Sequence, residues 1–351
     1  MNQKVAVVTT GGTIGSVLSD SVRQVDTDSN TIASKISDHC DELGVDLEIV
    51  PAVNMLSENM EPADWSDVGK NIYECCNSGY ESIVVTHGTD TLVYSANAFR
   101  NAIDNLSSRV VFTGSLASPD DPNNDVEIAL RSSLEASIDN SLSEGVYVSF
   151  RSPKTNDKAH LHRAVDIQPM RMDDRGFSSL FDSIVGTYSW NDGWNWTEKS
   201  SPTSNETISG LGGIPNKEHF DKIIGDVQYQ KTFPGQVFNN IDDETSLPDV
   251  LVVGLYHSGT ASTSLHESGL RDLLRNHDKT SVLLVGMSSK IISPPYESTA
   301  KLIDEGARLI TDVQAPVIYT AMCVGLANGM GVDEILSNVP GTEVTTEDLE
   351  I

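Results

Sequence analysis

Short apolar runs of strand length recur along this chain, each ending in a polar loop and followed by a stretch of helical length. That alternation limits the folds open to it. Val5–Val8 closes on Thr9-Thr10-Gly11-Gly12, Ser82–Thr86 on His87-Gly88-Thr89-Asp90, and Val110–Phe112 on Thr113-Gly114. Leu47–Val50 and Val146–Phe150 are further runs, with helical patterns over Leu92–Leu106 and Val126–Ile138. Runs that are apolar at every position mark strands covered on both faces. The expected fold is therefore α/β, a mainly parallel sheet covered by helices on both faces. In such sheets ligands lie outside the carboxyl ends of the strands, which is where Thr9–Thr13 and His87–Asp90 fall.

At 351 residues the chain is long enough for two domains, taking roughly 100–200 residues for each. Residues 1–186 hold the first α/β pattern. Residues 187–248 are expected to be an inter-domain connection rich in Ser, Thr, Asn and Gly. Its Trp190, Trp194 and Trp196 would either pack on a domain or line a site. Strand–helix alternation resumes over 249–351 as a smaller α/β domain, with Val250–Leu255, Leu265–Arg275, Val282–Gly286, Pro294–Glu305, Ala315–Met322 and a closing helix near Val332–Asn338.

Charge narrows the function. Asp and Glu number 51 against 23 Lys and Arg, a formal net charge of −28 spread along the chain. Such a surface repels phosphate backbones and anionic lipid, so neither nucleic acid nor membrane is an expected partner. It suits solubility in a salty compartment, where ions screen self-repulsion. The four cysteines, Cys40, Cys75, Cys76 and Cys323, have neither a disulfide nor a zinc spacing; a reduced, cytoplasmic setting is expected. No apolar run approaches the ~20 residues of a membrane helix.

Two loops carry candidate chemistry. In Thr9-Thr10-Gly11-Gly12-Thr13-Ile14-Gly15 the paired glycines allow tight backbone geometry and free amides, with the Thr13 hydroxyl at the mouth. A dinucleotide fingerprint fits poorly, because Thr10 stands where its first glycine belongs, and no Gly-Lys-Ser/Thr completes a phosphate loop. A plain glycine-rich turn remains open. In His87-Gly88-Thr89-Asp90-Thr91 a hydroxyl beside a carboxylate offers a nucleophile and an anion for a substrate ammonium. Asp90 could equally cap a helix, and His87 could be a structural hydrogen-bonder.

Taken together, Thr10–Ile14 and His87–Thr91 resemble the two signatures, TGGTI and HGTDT, of the L-asparaginase and glutaminase-asparaginase family, most like its cytoplasmic type I branch. Ser57-Glu58-Asn59-Met60 with Pro62 and Trp65, and Val111–Ser115 with Asp125 beyond it, resemble two further blocks of the family. The resemblance implies hydrolysis of L-asparagine to L-aspartate and ammonia, without cofactor or metal. It implies Thr13 as the nucleophile forming a β-aspartyl ester, Thr89 as the second catalytic threonine and Asp90 as the grip on the substrate ammonium. Ser57 and Glu58 would hold the α-carboxylate and α-amine ends. Gly12 and Gly88 would line the substrate site, and amides near Thr89 and Ser115 would steady the oxyanion. It also implies a homodimer or homotetramer, in which a neighbouring subunit's second domain closes the site; Tyr256, His257 and Ser258 are candidates there, and Ser288-Ser289-Lys290 occupies a similar strand end, with a plain turn as the alternative reading of both segments.

The chain departs from the family pattern twice. Where the family's lysine is expected, counted back from Phe177, stands Gln168. Glutamine can neither lower the threonine's pKa nor carry a proton. Lys158 is the candidate displaced base; His160 and His162 nearby would supply a base or a metal edge, or lie on an exposed strand or turn. Residues 14–35 also lack the tyrosine that many members place against the nucleophile, with Ser16, Ser19, Ser21 or Arg23 as substitutes. These departures leave two alternatives to the hydrolase: a catalytically silent binder of aspartate or asparagine, and the amidase subunit of a tRNA-dependent amidotransferase.

Overall fold

A computed structural model describes residues 3–12, 14, 16–19, 22–25, 29–104, 106–197, 210–238, 247–265, 269–289 and 295–344. The chain divides into two compact units, Met1–Glu218 and His219–Ile351.

The first unit opens with β1 (Gln3–Gly11), a small hairpin of β2 (Ser16–Ser19) and β3 (Val22–Val25), helix α1 (Ser29–Leu43) and β4 (Val45–Met55). There follow α2 (Asp64–Asn77), β5 (Ser82–Thr86), α3 (Leu92–Ala102), β6 (Arg109–Thr113), α4 (Val126–Ile138) and β7 (Gly145–Arg151). The last part is strand-rich: β8 (Lys158–Arg163), β9 (Ile167–Gln168), β10 (Ser178–Ser179), β11 (Ile184–Ser189) and β12 (Gly193–Trp196). The main sheet has the order β12-β11-β8-β7-β6-β5-β1-β4. From β4 to β7 every pairing is parallel, and β8, β11 and β12 are added antiparallel.

The apolar runs are continuous because both faces are buried. Ala6, Val8, Ile83, Val85 and Phe112 pack with Val68 and Ile72 of α2 and Leu92, Ala96 and Phe99 of α3. Val5, Val7 and Val84 face the other way, onto Ile32 and Ile36 of α1 and Ala129, Leu130 and Leu134 of α4. Burying one such side chain contributes about 1.5–3 kcal/mol. The tryptophans of the connecting segment pack on the first unit. Trp194 and Trp196 stack at 4.8 Å and 8°, and their indole N–H groups donate to the Ser132 carbonyl (3.0 Å) and to Asp139 Oδ2 (2.8 Å).

Helix α5 (Lys217–Lys222) spans the division between the units. The second unit contains β13 (Val227–Lys231), β14 (Val250–Gly254), α6 (Leu270–Asn276), β15 (Ser281–Met287), α7 (Glu297–Asp304), β16 (Arg308–Thr311), α8 (Ala315–Ala327), α9 (Val332–Ser337) and β17 (Thr342–Val344). Its sheet runs β13-β14-β15-β16-β17, parallel except for β17. The mainly parallel, two-sided α/β architecture is thus the one expected from the sequence, in both units. Among the described residues no helix is long and apolar enough to cross a membrane.

Candidate active site

Strands β4, β1, β5 and β6 are neighbours and parallel, so the loops leaving their carboxyl ends emerge side by side. Thr10, at the end of β1, donates its hydroxyl to the Thr86 carbonyl at the end of β5, at 2.9 Å. Gly11 and Gly12 then turn the chain with φ of 94° and 83°. A Cβ on Gly12 would sit 2.5 Å from the Gly88 nitrogen, and one on Gly88 would sit 2.4 Å from Ser57 Oγ. Only glycines at both positions allow the loops after β1, β4 and β5 to touch. The short helical turn Ser57–Asn59 after β4 brings in the third loop.

Ser57 is buried beneath this junction, and its hydroxyl donates to Asp90 Oδ2 at 3.2 Å. Its carbonyl accepts from Thr91 Oγ1 at 2.8 Å. Thr91, not Asp90, occupies the cap of α3, and no side chain bonds there. The capping role considered for Asp90 is therefore not the one it plays: its exposed carboxylate is aimed at Ser57 instead. Thr89 is half-buried and Glu58 is exposed, so both are open to a solute. A Cβ on Gly114, beyond β6, would lie 2.5 Å from the His87 carbonyl and 3.5 Å from Thr89 Cγ2. The loop after β6 is thus the wall behind Thr89. It holds Ser115, buried, whose hydroxyl is turned back onto the Ala117 carbonyl at 2.9 Å. The Asp125 carboxylate accepts the Leu116 N–H at 3.0 Å and the Ala117 N–H at 3.2 Å, fixing this loop to the start of α4.

His87 is fully buried. Its Nδ1 bonds to the Gly88 carbonyl at 2.8 Å and its Nε2 lies 3.3 Å from Met60 Sδ. Burial pushes its pKa down to about 4, against a smaller opposing effect of the Gly88 carbonyl. A neutral imidazole donating to a main-chain oxygen orients the loop and is no base at neutral pH.

Thr13 lies outside the described residues, as do Gly15, Ser21 and Lys290. Of the other sequence candidates, Gly12, Ser57, Gly88, Thr89 and Asp90 come together, with Glu58 next to Ser57 and Ser115 in the wall. Lys158 is exposed, at the first position of β8, where its carbonyl accepts the Ser152 N–H at 2.8 Å. Among the described residues no contact joins it to Thr89 or Asp90. Gln168 is half-buried in β9, its Oε1 accepting from Ser178 Oγ at 3.5 Å.

The exposed placement considered for His160 and His162 is overturned. Both lie on β8. His162 is buried, with Nδ1 2.6 Å from Ser179 Oγ. Burial and then His160 push its pKa down to about 3. His160 is half-buried and shifted down by burial, then by Lys154 and Lys158. Alternation along β8 explains this: His160 and His162 stand opposite Phe150 and Val148, on a covered face. Among the described residues no group of three His, Cys, Asp or Glu side chains is arranged to hold a metal ion.

In the second unit, Tyr256–Thr260 forms a closed turn after β14. Gly259 N donates to the Tyr256 carbonyl at 2.8 Å and Tyr256 N to the Thr260 carbonyl at 2.9 Å. Ser288 Oγ and Ser289 N both donate to Asp312 Oδ1, at 3.1 and 3.0 Å.

The sequence profile described as "Asparaginase, N-terminal" matches residues 4–199. A glutamyl-tRNA(Gln) amidotransferase subunit from Saccharolobus islandicus is 24% identical over 343 residues, covering 95% of this chain and 74% of the relative. The thermostable L-asparaginase from Thermococcus kodakarensis is similar in structure, with TM-score 0.70 and 20% identity over 97% of this chain and 100% of that one. The probable cytoplasmic L-asparaginase from Campylobacter jejuni superposes with TM-score 0.68 and 18% identity, over 96% of this chain and 98% of that one.

Proposed function

Because the chain belongs to the asparaginase family, we propose that it is an amidohydrolase of small amino-acid amides, taking L-asparagine to L-aspartate and ammonia. The observation that carries this reading is the meeting of Gly12, Ser57, Gly88 and Asp90 beside a solvent-accessible Thr89 at the ends of three adjacent parallel strands. Asp90, already hydrogen-bonded to Ser57, accepts the substrate ammonium, while Ser57 and Glu58 orient the α-substituents. Thr13, one residue past Gly12, attacks the side-chain amide carbon. Ammonia leaves with the proton taken from the threonine, and a β-aspartyl ester remains. Water, oriented by Thr89, then cleaves the ester. Main-chain N–H groups near Thr89 and Ser115 stabilise the oxyanion, an effect worth about 3–4 kcal/mol per donor. No metal or cofactor is required. The working form is a cytoplasmic homodimer or homotetramer.

The test is ammonia release from L-asparagine, L-glutamine and D-asparagine. The expected outcome is turnover of at least one of these amides, reduced by about 10⁴-fold or more in Thr13→Ala. Full activity in that variant would sink the reading. Two observations favour other readings. Gln168 in place of a lysine favours a silent binder, identified by aspartate binding without ammonia from any amide. The name of the Saccharolobus relative favours one component of an amidotransferase, identified by glutamine turnover only with tRNA and a partner protein.

A further inference from the structure

At the end of β7 the chain buries a guanidinium. Arg151 is 8% exposed, and its Nη1 lies 3.9 Å from Oδ2 of Asp125, which is 3% exposed. Ser149, two residues earlier and on the same face, bonds to Ser132 of α4 at 2.8 Å, so the alternation of the strand aims Arg151 at the start of that helix. Asp125 stands there, holding the Leu116 and Ala117 N–H groups. A second arm of the guanidinium, Nη2, donates to Asn156 in the hairpin between β7 and β8. Its main chain is equally committed, since a Cβ on Gly176 would lie 2.5 Å from the Arg151 carbonyl. One side chain thus ties together the loops that follow β6 and β7.

We propose that Arg151 is a positioning residue for the candidate active site. Through Asp125 it locks residues 114–117 in the conformation that backs Thr89. The functional half of this inference rests on the amidohydrolase reading. The physical ground is that a buried carboxylate holds two amides more firmly when an opposite charge compensates it. Arg151 supplies that compensation from within the fold, acting on the loop after β6 and not on the Ser57–Asp90 pair. Its loss displaces the wall beside Thr89 without touching the residues that bind the amino-acid ends.

The experiment compares wild type with Arg151→Met, Arg151→Lys and Asp125→Asn by amide hydrogen exchange and by kinetics. Exchange at Leu116 and Ala117 rises about 10-fold or more in Arg151→Met and Asp125→Asn, and stays near wild type in Arg151→Lys, which keeps a cation. In the same two variants kcat for ammonia release falls about 100-fold, while KM remains within about threefold. Unchanged exchange at 114–117 in both, a rise in KM that accounts for the whole loss, or an unaltered kcat would overturn the proposal. If Arg151→Met fails to fold, Arg151→Lys and Asp125→Asn decide the matter alone. A wild type that releases no ammonia from any amide defeats the amidohydrolase reading, and exchange at 114–117 still decides whether the clamp exists.

Discussion

At the scale of single residues, two buried histidines couple the fold to pH. His87 and His162 are neutral inside the protein, with pKa values near 4 and near 3, because burial penalises the imidazolium. In the unfolded chain each titrates at about 6.5. Both folded values are depressed, so the unfolded state binds protons first as pH falls. The stabilisation is complete above about pH 6.5 and is lost as pH falls toward the folded values, at up to about 1.4 kcal/mol per pH unit for each histidine. His162→Gln should therefore flatten the pH dependence. In urea titrations at pH 7.5 and pH 5, the stability gap between wild type and variant should narrow by about 2 kcal/mol at the lower pH. A constant gap would mean that His162 is not held neutral. The type of these residues was legible in the sequence, but their burial was not. The alternation in Lys-Ala-His-Leu-His-Arg does not say which face is covered, and here the β9–β10 hairpin supplies Ser179 against His162.

At the scale of elements, the site is a crossing of loops that leaves no room for a side chain. Gly88→Ala would press a methyl group to 2.4 Å from Ser57 Oγ. The expected result is a loss of about 1–3 kcal/mol in stability, with aspartate affinity weakened at least 10-fold because Ser57 and Asp90 are pushed apart. Calorimetric titration of aspartate into the folded variant checks this, and unaltered affinity would show that the glycine contact does not shape the grip. The strands that carry the site were readable from sequence. Ser82–Thr86 and Val126–Ile138 fall on β5 and α4 to the residue, and Val110–Phe112 lies inside β6. Uniform burial gave those segments uninterrupted apolar runs. The antiparallel strands β11 and β12 were not read from the sequence, and β8 only as an exposed strand or turn, because Lys158–Arg163 and Gly193–Trp196 mix polar and apolar residues. The family resemblance implied that Gly12, Ser57, Gly88 and Asp90 share one site, but their contact distances needed the three-dimensional structure. The place of Arg151 also escaped the sequence, since a lone arginine at a strand end has no signature until Asp125 is seen opposite it.

At the scale of the whole molecule, a formal charge of −28 sets the conditions under which the fold is stable. Carboxylates repel one another over a Debye length of about 10 Å at 0.1 M salt and about 3 Å at 1 M. Raising KCl over that range should raise the midpoint of thermal unfolding by about 5–10 °C, as read by circular dichroism. A midpoint that is flat or falls with salt would show that self-repulsion does not limit stability. The order of the main sheet has a consequence for how such a molecule is made. Strand β1 lies between β4 and β5, both of which follow it in the chain. During translation the Val5–Val8 segment leaves the ribosome with neither neighbour yet synthesised; it has no partner until residues 45–55 have emerged, and one open edge until residue 86 has followed. A sticky strand must therefore be carried, shielded or chaperoned through that interval, and the loop junction of the candidate site assembles only once residues 82–91 have followed.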